Sequence, residues 1–248
     1  MEHTMTILYT TLKACLAAEQ PVAVATIIDG TGQIGAKLLV RPGEALLGTL
    51  GDSILNEAVE RDALAMLLRA ESGIRSYTVA DGDVQVFIET YPPPPTMFIV
   101  GAVHIAIPLV TFAKTLGFRT VVIDARGAFA TPERFAHADE LIHAWPDEVL
   151  PGRLTSNSFV VLLTHDPKLD DPALKVALPS PARYVGALGS PKTHARRLER
   201  LRADGVPEEQ LARLHAPIGL KIGSDSPEEI AVSIIAEVVA ARHGLTGR

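Results

Sequence analysis

Apolar residues along this chain fall into short unbroken runs and longer helically spaced stripes. Two runs, Met97-Phe98-Ile99-Val100 and Thr120-Val121-Val122-Ile123, are brief and rich in β-branched residues. Such runs read as parallel strands buried on both faces. Between them Ile105, Leu109, Phe112, Ala113 and Leu116 recur at helical spacing. Gly117 then stands where a helix C-terminus wants a residue free to take positive φ. The second run ends on Asp124. Strand, turn, helix and strand ending in an acid form the opening unit of a dinucleotide-binding fold. There the helix N-terminus meets phosphate and the acid meets a ribose hydroxyl. Asp124 follows Gly101 by 23 positions, near the expected spacing of roughly 20. The turn itself departs from G-x-G-x-x-G, reading Gly101, Val103, Ala106. Val103 sets a β-branched side chain where pyrophosphate approaches the backbone, whereas Ala106 is a tolerated replacement. The fold signal is therefore stronger than the ligand signal.

The pattern before this unit is different. Leu8, Leu12, Cys15 and Leu16 place one apolar face on a helix over 5–20. Val22 to Ile28 reads as a strand closed by Asp29-Gly30, Ala36 to Val40 as a second, and Ala45 to Gly51 as a third short one. Asp52 or Ser53 caps a helix from Ile54 to about Ala70, with Glu57 placed to complete a capping box with Ser53. Leu55, Ala58, Val59, Leu64, Leu67 and Leu68 supply its stripe. Val84 to Glu89 alternates, as a strand with one solvated face does. Pro92 to Pro95 follow; four prolines cannot join a ladder and favour extended polyproline, so they mark the domain boundary.

Beyond Asp124, Glu140 to His143 reads as a short strand, Phe159 to Thr164 as a strong central one and Tyr184 to Leu188 as the next. Helices are expected from Pro191 to about Ala203 and from Pro207 to about Leu214. Ser226-Pro227-Glu228-Glu229 opens the last helix with Ser at the N-cap, Pro at N1 and Glu at N3, and Ile230, Ile234, Ile235 and Val238 form its buried face. The fold class is α/β: a small N-terminal α+β domain over 1–91, then a Rossmann-like, doubly wound parallel-sheet domain over 96–248.

Composition narrows the function classes. At 248 residues the chain is long enough for two domains, and 47% apolar content supports a well-buried core. A net charge of −6 argues against nucleic acid, which calls for a basic patch. The lone Cys15 excludes a disulfide framework and a cysteine-based zinc site, and reads as a packed core residue. No basic n-region opens the sequence and no apolar run approaches membrane-spanning length. A cytoplasmic protein without a membrane partner is the expectation.

Ligands of open parallel sheets bind beyond the carboxyl ends of the strands. Polar residues expected there are Gly101 and His104, Asp124 and Arg126, His165 and Asp166, and Gly189 and Ser190. His165 and Asp166 side by side at a crevice point to a ligand role. Asp166 also reads as a cap before the Pro167 loop, and His104 as a turn residue packed on the sheet. Ser190 and Ser226 are first of all helix caps, although helix N-termini also attract anions, and Lys192 and Arg196 add charge beside Ser190. The run Arg196, Arg197, Arg200, Arg202 reads as a solvated helix face. No catalytic triad, metal-pair spacing or P-loop appears. An NAD(P)-dependent oxidoreductase with His165 as acid/base, and a nucleotide-sensing module without turnover, are open readings.

The motifs of the second half resemble those of the XdhC/CoxI family, the accessory factors of xanthine dehydrogenase and related molybdenum hydroxylases. The matching stretches are Leu116 to Arg126, Glu133-Arg134-Phe135, Leu163-Thr164-His165-Asp166, Tyr184 to Ser190, Leu214 to Gly223 and Ser226 to Ile234. They span nearly all of 97–240 in order. Gly35-Ala36-Lys37 and Gly48-Thr49-Leu50-Gly51 resemble the family's N-terminal half more loosely. Where the family continues with further glycines and often a cysteine, this chain has Asp52-Ser53-Ile54; where it often has Cys-Gly-Gly, this chain has Asp81-Gly82-Asp83; and Gly-x-Gly-His-Val is here Gly101-Ala102-Val103-His104-Ile105. The resemblance implies a non-catalytic maturation factor that binds molybdenum cofactor (molybdopterin) and assists its sulfuration and insertion. It implies a molybdenum hydroxylase such as xanthine dehydrogenase as partner, with a sulfurtransferase alongside, and a homodimer. The crevice residues named above would then be cofactor-binding, with none catalytic and none holding a metal.

Overall fold

A computed structural model describes residues 2–245 and divides the chain into two compact units, Met1–Pro93 and Pro94–Arg248. In the first unit the elements run α1 (Glu2–Ala17), β1 (Val22–Gly30), β2 (Lys37–Val40), β3 (Leu47–Gly48), α2 (Ser53–Arg69), β4 (Gly73–Val79) and β5 (Gly82–Tyr91). The strands make one antiparallel sheet in the order β3-β2-β1-β5-β4. Alternation along β1 explains its unbroken apolar run. Ala23, Ala25 and Ile27 join Leu55, Val59, Ala63 and Met66 of α2 on one face, while Val22 and Val24 join Leu8 and Cys15 of α1 on the other. Cys15 is thus a packed core residue.

Three details of this unit differ from the expected pattern. Leu16 and Leu68, expected on apolar stripes, are exposed. Asp52, the first of the two expected caps, accepts from the Ile54 N–H at 2.7 Å, and Glu57 is not at the i+3 position that the expected capping box needs. β4 lacks a strand signal because it is an edge strand whose residues are mostly exposed, so no apolar alternation is imposed on it.

The second unit contains β6 (Thr96–Val100), α3 (Ala106–Thr115), β7 (Arg119–Ile123), α4 (Pro132–Phe135), β8 (Glu140–Ile142), α5 (Pro146–Val149), β9 (Ser158–Leu162), α6 (Pro167–Ala177), β10 (Tyr184–Ala187), α7 (Pro191–Ala203), α8 (Glu208–Leu211), β11 (Leu214–His215) and α9 (Pro227–Arg242). All six strands pair in parallel, in the order β11-β10-β9-β6-β7-β8. From β6, the chain moves outward through β7 and β8, then returns to start again at β9. This is the doubly wound Rossmann order, with its reversal between β6 and β9. One sheet face packs Met97, Ile99, Val122, Phe159 and Val161 against α3 and α9. The other packs Phe98, Val100, Val121, Val160 and Leu162 against α6, α7 and α8. Burial on both faces is why these strands read as continuous apolar runs. Among the described residues no helix is long and apolar enough to cross a membrane.

Two expectations are corrected here. The segment after Asp166 is a helix, not a loop: Asp166 is its N-cap and Pro167 its first residue. The helix expected over 207–214 ends at Leu211, and Leu214 and His215 instead pair with Val185 and Gly186 of β10. Arg213, between them, donates to the carbonyls of Leu178, Ser180 and Ala182, which draws the chain out of the helix.

A buried carboxylate fixes α9 to this edge of the sheet. Glu237 accepts from Tyr184 Oη and from the Gly219 N–H, each at 2.6 Å, and lies 3.2 Å from His215 Nδ1. Burial opposes its ionisation, and the hydrogen bonds from His215, Tyr184 and Gly219 outweigh that, leaving its carboxyl below the usual 4.5. Because the folded value is depressed, the ionised form stabilises the fold fully above pH 4.5, and this contribution is lost as the pH falls through the folded value. Glu237→Gln is expected to cost roughly 1.5–3 kcal/mol at pH 7 in urea denaturation. The difference from the parent chain is expected to shrink below pH 4.5; a difference independent of pH contradicts this role for the carboxylate.

Candidate functional site

The carboxyl ends of β6, β7, β9 and β10 bring their following turns to one edge of the second sheet. After β6, Gly101 takes φ +107°, and its N–H donates to Ile123 O at 2.8 Å. A Cβ there would lie 2.5 Å from Thr164 Cγ2, so glycine lets the β6 and β9 ends approach. Ala106 is fully buried, and Val103 packs partly against the same core. His104 is exposed in the turn ahead of α3.

Asp124 closes β7 and is fully buried. Its Oδ2 accepts from the Ala102 N–H and from Arg126 Nη2, both at 2.8 Å. Its Oδ1 accepts from the Arg126 N–H and Nε, both at 2.9 Å. Burial alone would raise its pKa, but the bonds from Arg126 and Ala102 prevail and hold the carboxyl below its ordinary range. The carboxylate thus faces the chain itself rather than an incoming ribose. Arg126 is the group it presents: the guanidinium lies 4.6 Å from the Phe129 ring centroid and its side chain is 34% exposed.

At the end of β9 the pair expected from sequence divides into separate roles. His165 is exposed, whereas Asp166 commits Oδ1 to the Lys168 N–H at 3.0 Å as the cap of α6. His165 projects to solvent and Asp166 is half-buried, so the two do not act as one pair. The buried acid is Asp170, one turn into α6. It accepts from Thr164 Oγ1 and from Arg197 Nη2, the latter at 3.0 Å. Burial pushes its pKa upward against these bonds. The solvated face expected for Arg197 is corrected too, since its side chain is only 2% exposed. It also donates to Leu188 O at 3.0 Å, while its Nε and Nη1 find no partner among the described residues. Its neighbour Arg200 does reach the surface and pairs with Asp171 at 2.5 Å.

After β10, Gly189 takes φ +148° above this pair; a Cβ would come within 3.2 Å of Thr193 Cγ2. Ser190 caps α7, accepting from the Thr193 N–H at 3.2 Å, and Lys192 and Arg196 are exposed on the same helix. Sequence reasoning missed Thr164, Asp170 and Arg197 as a unit, and Phe129 altogether. The spacing of Asp170 four residues beyond Asp166 places it on the first turn of a helix, once Pro167 is taken as N1. For Phe129 no local signal exists.

The Asp170–Arg197 pair is open to a direct check. Asp170→Ala or Arg197→Met alone leaves a buried charge uncompensated and is expected to cost about 3–5 kcal/mol. Replacing both together is expected to cost less than the sum of the two, measured by denaturant unfolding. Additive losses contradict a coupled pair.

Comparison with known proteins agrees with this fold. The model of the XdhC Rossmann domain matches residues 97–238, and that of the XdhC and CoxI family matches residues 15–78. The chain is 31% identical over 243 residues to the uncharacterized protein YqeB of Escherichia coli, covering 92% of this chain and 44% of that protein. It is 34% identical to a probable xanthine dehydrogenase component of Bacillus subtilis, covering 65% of this chain and 47% of that one. It is 33% identical to the molybdenum cofactor insertion chaperone PaoD of Escherichia coli, over 37% of this chain and 29% of that one. The chain therefore spans less than half the length of the curated relatives it matches. A crystal structure described as a xanthine dehydrogenase from Bacillus halodurans superposes with a TM-score of 0.56 at 23% identity, covering 97% of this chain and 96% of that one, which shows a shared fold. With the Rossmann-domain model matched across more than half its length, the chain belongs to the XdhC/CoxI family.

Proposed function

We propose that this protein is a maturation factor that binds molybdenum cofactor, or a nucleotide-bearing form of it, as cargo for insertion into a molybdenum-containing hydroxylase. The observation that carries this reading is its family membership together with its likeness to a relative named as a molybdenum cofactor insertion chaperone. The crevice suits binding more than turnover. Among the described residues no carboxylate bonds to the exposed His165 at the β9 end, and Asp166 is occupied as a cap. Asp124 is sealed inside, so the ribose contact of an NAD(P)-dependent oxidoreductase finds no acceptor there.

Within this reading, Gly101 and Gly189 shape the crevice by letting Thr164 and Thr193 close against their turns, and Ser190 at the α7 N-terminus with Lys192 nearby receives an anionic group. His104, Arg126, His165 and Asp166 line the opening, and Asp124 acts by holding Arg126. A molybdenum hydroxylase such as xanthine dehydrogenase is the recipient; a sulfurtransferase, a homodimeric state and a cytoplasmic setting belong to the same proposal.

Anaerobic incubation with cofactor released from a molybdenum hydroxylase, followed by gel filtration, is expected to leave molybdenum on the protein. His165→Ala is expected to weaken retention about tenfold or more, one charge-assisted hydrogen bond being worth roughly 1.5–3 kcal/mol, with little change in melting temperature. A protein that retains no molybdenum, yet alters nicotinamide fluorescence on titration with NADPH, contradicts the proposal in favour of an oxidoreductase.

A further inference from the structure

Where a dinucleotide fold presents a carboxylate to ribose, this chain turns the carboxylate inward and presents an arginine. Asp124 grips Arg126 through both Nε and Nη2, which fixes the guanidinium plane before any ligand arrives. Nη1 is the guanidinium nitrogen left without a protein partner among the described residues. Phe129 backs the guanidinium at 4.6 Å and is itself 40% exposed. An exposed phenylalanine alone means little; one held beneath a fixed cation at the ligand edge of a parallel sheet is different.

The backbone holds Phe129 in place. Its N–H donates to Arg126 O at 3.0 Å, and its carbonyl accepts from Arg134 Nη1 at 2.6 Å. The next carbonyl, of Ala130, accepts from His143 Nε2 at the end of β8. Aromatic ring and guanidinium are thus both positioned in advance, so a flat ligand meets little ordering cost.

We infer that Arg126 and Phe129 form a stacking platform for a planar fused nitrogen heterocycle, the ring chemistry shared by pterins and purines. The ring lies on the guanidinium, with Phe129 behind it. This rests on the cofactor-binding reading of the crevice and names the part of the ligand gripped at β7. The charge around Arg126 favours a ring over a bare anion. Asp124 already neutralises it, and the carboxylates of Asp166 and Asp170 also act on it. An isolated phosphate meets that negative field, whereas a neutral ring stacks on a guanidinium without opposing it.

Titration with 6-hydroxymethylpterin, with guanosine and adenosine 5′-monophosphates, and with ribose 5-phosphate tests the platform, read by ligand or Trp145 fluorescence and by calorimetry. The ring ligands are expected to bind and ribose 5-phosphate is not. Phe129→Ala and Arg126→Lys, the latter keeping charge without the plane, are each expected to weaken ring ligands tenfold or more; Phe129→Tyr is expected to retain them. Preference for the pterin identifies a pterin cofactor as the source of the ring, and preference for a monophosphate identifies a nucleotide. Phe129 is exposed, so its variants keep the test independent of folding. Unchanged affinities in Phe129→Ala, equal binding of ribose 5-phosphate, or no ring binding by the parent chain would overturn the inference. Molybdenum retention on the same variants separates the two claims. Full retention by Phe129→Ala removes the platform and leaves the maturation role, whereas ring binding without molybdenum retention removes the role and leaves the platform.

Discussion

A fully buried carboxylate must be met by donors or it will not stay ionised, and Asp124 is met by four. Three of them come from Arg126 and one from Ala102, so a single side chain ties the turn after β6 to the end of β7. The close approach of Gly101 to Thr164 adds the end of β9 to the same knot. The geometry of the crevice follows from these contacts. The β6 turn is narrow, the acid that a dinucleotide fold offers to a ribose is withdrawn, and an arginine takes its place at the edge.

The same physics recurs at two other points of the second unit. Asp170 is clasped by Thr164 and Arg197, which joins α6, α7 and the β9 and β10 turns. Glu237 is clasped by Tyr184, His215 and Gly219, which joins α9 to β10 and β11. Each of the three has at least one partner distant in sequence: Ala102 for Asp124, Arg197 for Asp170 and Tyr184 for Glu237. Apolar packing supplies the layers of the domain; these three acids set where the layers' ends meet, because a displaced partner would strand a charge in the interior.

That division decides what is legible in the sequence. Continuous runs such as Thr96–Val100 and Ser158–Leu162 are buried on both faces, so their strands and the α3 crossover are visible in the pattern alone. The α9 start is equally plain, because Ser226, Pro227 and Glu229 carry out a local capping box. Edge strand β4 is hidden because exposure leaves it without alternation, and α6 is hidden because Pro167 reads as a breaker when it is the first residue of a capped helix. The apolar runs also show that Gly101, Asp124, His165 and Gly189 follow strand ends. They do not tell which charges turn inward. Arg196, Arg197 and Arg200 look alike in sequence, yet only Arg197 is buried, because its partner Asp170 comes from another helix. The inward aim of Asp124 and the placing of Phe129 under Arg126 are likewise tertiary facts.

Crevice binding at the carboxyl ends of the second sheet is tested most directly by hydrogen–deuterium exchange, comparing the protein loaded anaerobically with molybdenum cofactor against the unloaded protein. Loading is expected to add protection over 101–106, 124–130, 164–168 and 188–193, with the Ala102 amide already slow to exchange beforehand because Asp124 holds it. Protection confined to residues of the first unit, with these four segments unchanged, would contradict it.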